Sequence, residues 1–317
     1  MKTALVTGGQ GFLGHALTKE LRARDYQVFT FDTQYGDPQF HRHGSVVDFE
    51  SILYAVKDVD IVFHLAALLG TTELLNVNAE ATDVNIKGAI NVFEACHRMG
   101  VPKVFFPTKA NIWLNTYTIT KEASEKFAQM YRHVYGLDVR ILRWLNAYGP
   151  QQKLFPIRKA VPIMILQALN VLPIEIYGDG NQMVELVYIG DVARVTIAYM
   201  EHSIGDSVIR DTGHIVRMSV NEMVTHIKKL TQSKSPIVYL PMRPGEESDK
   251  SVEFLPDSVI EFLGMKEETT DIESGLEDTI AYYRALPERA KFAALKFYYG
   301  FIPETGSATV RTKPYVL

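Results

Sequence analysis

The chain has 317 residues, 47% hydrophobic and 22% charged, with a formal net charge of -4, an ordinary globular composition long enough for more than one unit of structure. Mild acidity, with a sequence pI near 6.2, argues against a nucleic-acid partner or a membrane surface, which favour a basic face. The single cysteine, Cys96, excludes an intrachain disulfide, and no apolar stretch is long enough to span a bilayer, so the expectation is a soluble cytoplasmic protein.

In chain order, the apolar run Ala4–Thr7 breaks into Gly8, Gly11 and Gly14 and then opens a helical pattern. This predicts strand, tight turn and helix. Gly8 permits the turn, Gly11 a close backbone approach and Gly14 the packing of helix on strand, which together suit a pyrophosphate at a helix N-terminus. An amphipathic run at 15–24 leads to a strand at 28–31 that closes on Asp32. An acid there takes the ribose hydroxyls of NAD and repels a 2′-phosphate, and no Arg stands beside it, so NAD is expected over NADP. Residues 33–44 read as a loop, and its His41 and His43 lack further metal ligands at useful spacing. A short strand at 46–48, a helix at 50–56 and a buried strand at 60–65 follow, the last ending on the small pair Ala66-Ala67. A helix at 85–99, capped by Gly100 and burying Cys96 as a small hydrophobe, leads to a strand at 104–106 closing at Pro107-Thr108. A long helix at 117–135 ends at Gly136 and a strand at 139–143 follows.

This alternation predicts an α/β fold, a Rossmann-type doubly wound parallel sheet, over 1–150, with returning segments at about 180–215. Beyond 150 the texture changes: a helix at 163–169 between two prolines, strands at 174–177 and 187–189, and helices at 191–202, 219–232 and 256–263. The expectation for 151–284 is a smaller mixed α/β substrate-binding domain. The 285–317 extension carries Phe292, Leu295, Phe297, Tyr298, Tyr299, Phe301 and Ile302, too apolar to float free, and is expected to pack on its own domain or a partner subunit.

Tyr117 and Lys121 stand at i and i+4, on one face of the long helix. A phenol with a pKa of about 10 is a poor base, but a nearby ammonium and a positive nicotinamide both favour its phenolate. Tyr117 then exchanges a proton with a substrate hydroxyl while the cofactor takes hydride from the carbon bearing it.

With these residues in view, the sequence resembles the extended short-chain dehydrogenase/reductases that act on nucleotide sugars, from residue 3 to about 284. The resemblance is carried by TGGQGFLG at 7–14, Asp32, VVDF around Asp48, VFHLAA at 62–67, NIKGAINVFEA at 85–95, Tyr117 to Lys121 and RWLNAYGP at 143–150. The later half adds PIEIYGDGNQ, VYIGDVA, RPGEE and ESGLEDTIAYYR. It implies NAD held by Gly8, Gly11, Phe12, Leu13, Gly14, Asp32, Asp48, Phe49, Leu65, Ala66, Ala67, Tyr117 and Lys121, with Asn85 nearby. It also implies a nucleotide-diphosphate sugar bound through Asn146, Tyr177, Arg243 and Glu246, and a homodimer pairing through the helices at 85–99 and 117–135.

The sequence also departs from the family. Its active-site Ser or Thr, counted back from Trp113, falls on Lys109; Thr108, one residue earlier, is taken as the catalytic hydroxyl, with Lys109 and Thr116 as alternatives. Only 114–116 separate Trp113 from Tyr117. The phosphate-binding Arg is replaced by Val184, for which Arg158 or Lys159 can compensate. Where sugar dehydratases and decarboxylases of the group need an acid, the sequence reads Ala110-Asn111. The resemblance therefore favours an NAD-dependent epimerase acting at C4, over another oxidoreductase or dehydratase of this fold or a non-catalytic NAD-binding module.

Overall fold

The computed structural model describes residues 1–109, 113–203, 208–212, 216–247, 255, 258–266 and 269–299. They form two units, one from 1–145, 189–214 and 252–269, the other from 146–188, 215–251 and 270 onward. The first opens with β1 (Thr3–Thr7), α1 (Phe12–Ala23), β2 (Gln27–Asp32), β3 (His41–His43), α2 (Phe49–Ala55) and β4 (Ile61–His64). It continues with α3 (Asn78–Thr82), a π-helical turn at Asp83–Lys87, α4 (Gly88–Met99), β5 (Lys103–Lys109), α5 (Thr116–Tyr135) and β6 (Asp138–Trp144). The second unit takes β7 (Asn146–Tyr148), α6 (Ala160–Leu169), β8 (Ile174–Tyr177) and β9 (Met183–Tyr188). The chain then returns to the first for α7 (Ile189–Glu201) and β10 (Arg210–Asp211), and to the second for β11 (Val216–Ser219), α8 (Val220–Thr231) and β12 (Ile237–Leu240). Finally α9 (Val259–Leu263) belongs to the first unit, and α10 (Ile272–Ala285) and α11 (Glu288–Tyr299) to the second.

The first unit is a Rossmann-type fold. Its parallel sheet has the order β10-β6-β5-β4-β1-β2-β3. Successive residues of a strand point to opposite faces, so a strand covered on both sides must be apolar throughout. Leu5, Val62 and Phe106 pack under α2, α4 and α5, whereas their neighbours Val6, Phe63 and Phe105 pack under α1, α7 and α9. Pro107 is tolerated inside β5 because pairing with β4 has already ended at Phe105.

Two expectations at the sheet edge are corrected. The edge strand is β3, within the stretch read as a loop, and its polar side chains suit an edge; it pairs with Thr30–Asp32 of β2. No strand forms at 46–48. Val46 is buried in the core instead, the carbonyls of Val46 and Val47 accept from Asn91 Nδ2 at 2.9 and 3.1 Å, and Asp48 caps α2. The helix expected from 85 begins at Asn78, with the π turn inside it.

In the second unit, β7 and β9 are parallel, β9 and β11 antiparallel, and β8 and β12 form a parallel pair. Helix α6 is buried from Val161 to Ala168, as a helix apolar on every side must be, and Pro162 sits in its first turn, where no helical N–H is lost. A capping box joins Ser219 and Glu222 at the start of α8. Helix α11 packs on its own unit through Ala294, Leu295 and Tyr299, while Tyr298 donates to the Leu154 carbonyl at 2.6 Å and Phe297 stacks on Phe155. Phe301 and Ile302 lie outside the described residues.

A buried polar knot anchors this helix. Glu175 pairs with Arg158, Gln167 Nε2 donates to the Tyr299 hydroxyl at 2.6 Å, and that hydroxyl lies 3.4 Å from Glu175. Glu175→Ala strands the Arg158 charge and is expected to lower unfolding free energy by about 3–5 kcal/mol in urea titrations. Arg158→Met with Glu175→Leu should regain most of that loss.

Candidate active site at the carboxyl ends of the parallel strands

In a doubly wound sheet the crevice lies where strand order reverses, here between β1 and β4. Gly8 turns the chain at φ +68°, and a Cβ there would stand 2.8 Å from the Ala66 nitrogen; a Cβ on Gly14 would overlap the Gly8 carbonyl. Gly11 caps α1 without a side-chain hydrogen bond, and Phe12 and Leu13 open its first turn, so backbone N–H groups remain for an anion. Asp32 accepts from the amides of Gln10 and Gln34, each at 3.0 Å, which fixes its carboxylate beside the turn. Asp48 is the N-cap of α2, and hydrogen bonds from Ser51 and Glu50 hold its carboxyl below the usual range. Phe49 packs beside it on the core.

Thr7 ties the two strand ends together. Its hydroxyl accepts from the Leu65 and Ala66 amides at 3.1 and 3.2 Å and lies 2.8 Å from His64 Nδ1. His64 is buried against Phe106, and burial, helped by the Lys121 charge, pushes it down to about 3, so the ring is neutral at pH 7. Sequence reading passed over Thr7 and His64, although both lie inside the quoted motifs.

Helix α5 presents Tyr117 and Lys121 one turn apart. Lys121 is only 5% exposed, with Nζ 4.1 Å from the Phe106 ring centroid. Burial pushes it down to about 7, with Glu125 opposing and Lys109 assisting. Burial likewise pushes the Tyr117 phenol up to about 12. Among the described residues neither side chain has a hydrogen-bond partner, so both stand ready for groups from outside the protein. Asn85, in the π turn, makes a double hydrogen bond to the backbone of Leu68 at 2.7 and 2.9 Å and donates to Thr120 at 3.0 Å. It fixes the loop after β4, with Ala67, against α5, a common use of such a turn. The Thr108 hydroxyl, expected to face substrate, is committed to Glu125 at 2.7 Å; Lys109 reaches the first turn of α5 and donates to Thr118. The Thr116 hydroxyl is engaged by Asn78. Ala110 and Asn111 lie outside the described residues.

In the second unit Tyr177, Arg243 and Glu246 come together, with the Arg243 guanidinium 5.6 Å from the Tyr177 ring centroid and paired with Glu246. Arg158 lies against the same ring at 5.3 Å while its charge is held by Glu175. Asn146 is exposed on β7, and Val184 packs on the core.

Comparison with known proteins agrees with this geometry. Residues 4–112 and 113–209 match the NAD dependent epimerase/dehydratase family. The chain is 29% identical to the UDP-N-acetyl-alpha-D-glucosaminuronate decarboxylase of Bacillus cytotoxicus, over 90% of this chain and 98% of that protein. It is 27% identical to the UDP-glucuronate 4-epimerase of Thermodesulfobacterium geofontis, over 74% and 76% respectively. The crystal structure of the Thermotoga maritima UDP-glucose 4-epimerase with UDP-glucose superposes with a TM-score of 0.80 at 25% identity, covering 89% of this chain and 98% of that one. With a matching family profile over most of its length and the glycine turn, Asp32 and the Tyr117–Lys121 pair in place, the chain belongs to the NAD-dependent epimerase/dehydratase family.

Proposed function

We propose that the protein is a nucleotide-sugar epimerase that inverts C4 through a transient keto-sugar. The observation that carries this reading is the pairing of Tyr117 with the buried, unpartnered Lys121 on one face of α5, in the unit that holds the glycine turn. When bound, NAD supplies the acceptor and donor of hydride. The residues fit it: a Cβ-free turn at Gly8, backbone amides of Phe12 to Gly14 in the first turn of α1, a fixed carboxylate at Asp32, and at Lys121 an ammonium with no hydrogen bond among the described residues. Asp48, Phe49, Leu65, Ala66 and Ala67 line the adenosine and nicotinamide sides of this reading, and Asn85 positions rather than touches.

Tyr117 takes the proton of the sugar hydroxyl on its phenolate oxygen and later returns it. Burial alone opposes that phenolate, so the positive charge of Lys121 is needed to favour it. An oxygen-rich, anionic ligand raises the Lys121 affinity for its proton again, so the pair becomes active when the site is filled. The Ala110-Asn111 sequence offers no carboxylate for elimination or decarboxylation, which favours oxidation and re-reduction at one carbon. In the second unit, Arg243 forks onto the diphosphate, Tyr177 stacks on the base, and Glu246 and Asn146 accept from or donate to hydroxyls. Met99, Ile119, Val134 and Tyr135 are exposed on α4 and α5, which supports a two-fold pairing of those helices.

Incubation with UDP-, dTDP-, GDP- and CDP-sugars, read by proton NMR, should show one C4 pair interconverting. Tyr117→Phe should slow it about 10²–10⁴-fold with NAD still bound; no turnover of any sugar would defeat the reading. Light scattering should give twice the chain mass, with Val134→Glu lowering it. The NAD-free protein carries a further signature. Because Lys121 releases its proton near 7 when folded and only above 10 when unfolded, its burial costs stability most at low pH and least at high pH. The stability advantage of Lys121→Met should therefore shrink as pH rises from about 7 toward 10 in urea titrations.

A further inference from the structure

We propose that the Lys109 ammonium, and not the Thr108 hydroxyl, donates the second hydrogen bond to the reacting oxygen of the substrate. The assignment rests on the epimerase reading, with Tyr117 as proton acceptor, and adds a third catalytic residue to it. Thr108 and Lys109 are neighbours at the end of β5, and both side chains reach α5. The Thr108 hydroxyl is spent on Glu125, which also accepts from Gln129 at 3.0 Å. Lys109 reaches the first turn of α5, where Nζ donates to Thr118 and lies 5.6 Å from the Tyr117 ring centroid. Thr118 is itself held by Asn115 Oδ1, which accepts from its amide at 3.0 Å and lies 3.3 Å from its hydroxyl. An amine on a long stem is thus held over the Tyr117 ring.

The charged groups around Lys109 act on it unequally. On α5, Glu122 favours the ammonium and Lys121 opposes it, while Glu125 is engaged by Thr108. On β4, His64 is neutral. On β6, Arg143 is paired with Asp211. Burial dominates and pushes Lys109 down to about 7.

An ammonium donates and never accepts, and its hydrogen bond to a developing negative oxygen is charge-assisted. In the oxidation half-reaction the carbinol O–H breaks and its proton passes to the Tyr117 phenolate. The C–H electron pair leaves as hydride to NAD as the C=O bond forms, and Lys109 keeps its protons throughout. Re-reduction reverses each transfer. A hydroxyl in this place can relay the proton; Lys109 as an ammonium cannot, which makes Tyr117 the single acceptor.

The test uses the NAD-loaded enzyme and a nucleotide sugar it epimerises, with kcat and KM measured from pH 6 to 9.5. Lys109→Met should lower kcat about 10²-fold with KM changed less than about threefold, and Lys109→Thr should restore part of the loss by returning a hydroxyl. In the wild type kcat should fall at alkaline pH as Lys109 deprotonates; Lys109→Arg, which stays charged, should lack that limb. Lys109→Thr and Lys109→Arg carry the test if Lys109→Met does not fold. A kcat for Lys109→Met or Lys109→Thr within threefold of wild type, or an alkaline limb unchanged in Lys109→Arg, overturns the assignment. An inactive Tyr117→Phe beside an active Lys109→Met removes Lys109 alone. Undiminished turnover by Tyr117→Phe removes the epimerase mechanism and this assignment with it.

Discussion

The near contact between the Gly8 turn and the Leu65–Ala66 peptide is the constraint on which the first unit depends. A Cβ at Gly8 would stand 2.8 Å from the Ala66 nitrogen and 2.9 Å from the Leu65 carbonyl carbon, so the ends of β1 and β4 come this close only with glycine there. Thr7 then closes the seam with one hydroxyl that serves two backbone amides and the His64 ring. Because that seam lies where the strand order reverses, it also defines the floor of the crevice.

Above this floor the electrostatics run against ionisation. Lys109, Lys121, Tyr117 and His64 are all pushed toward their neutral forms, chiefly by burial. Such a site gains its charges together with its ligands, since a neighbouring opposite charge or hydrogen-bond partner reverses the cost of burial. Ligand occupancy and protonation are therefore one coupled equilibrium, and the bare protein holds the charges of these groups in reserve.

Much of the first unit was legible in the sequence because its signals are local. Buried parallel strands are continuous apolar runs, glycines end α4 and α5, and the glycine turn sits between a strand and a helix. The edge strand β3 was missed because His41, Arg42 and His43 carry no apolar run; β2 and the sheet hydrogen bonds place it. The π turn at Asp83–Lys87 was missed because a helix with one extra residue per turn has the same composition as one without. At the candidate site, Tyr117 and Lys121 were read from their i, i+4 spacing joined to the glycine turn, Asp32 and the alternation of strand and helix. Whether Thr108 or Lys109 approaches the tyrosine depends on Glu125, a helical turn beyond Lys121, which takes the Thr108 hydroxyl, and on Thr118, which accepts from Lys109; neither is visible in a count from Trp113. The Arg158–Glu175–Tyr299 knot joins residues far apart in sequence, which no periodic pattern reports.

The route of the chain has a consequence for its synthesis. The first unit is assembled from three separate stretches, and its edge strand β10 and covering helices α7 and α9 are encoded after a run of residues that belongs to the second. As the polypeptide emerges from the ribosome, six of the seven sheet strands are present while one face still lacks α7 and the apolar side chains Ala193, Val195 and Ile197 that cover it. Vectorial folding must therefore pause with part of the sheet bare. The interval before α7 emerges is when a nascent chain of this design has most to gain from a chaperone, and neither unit can be excised as one continuous gene fragment.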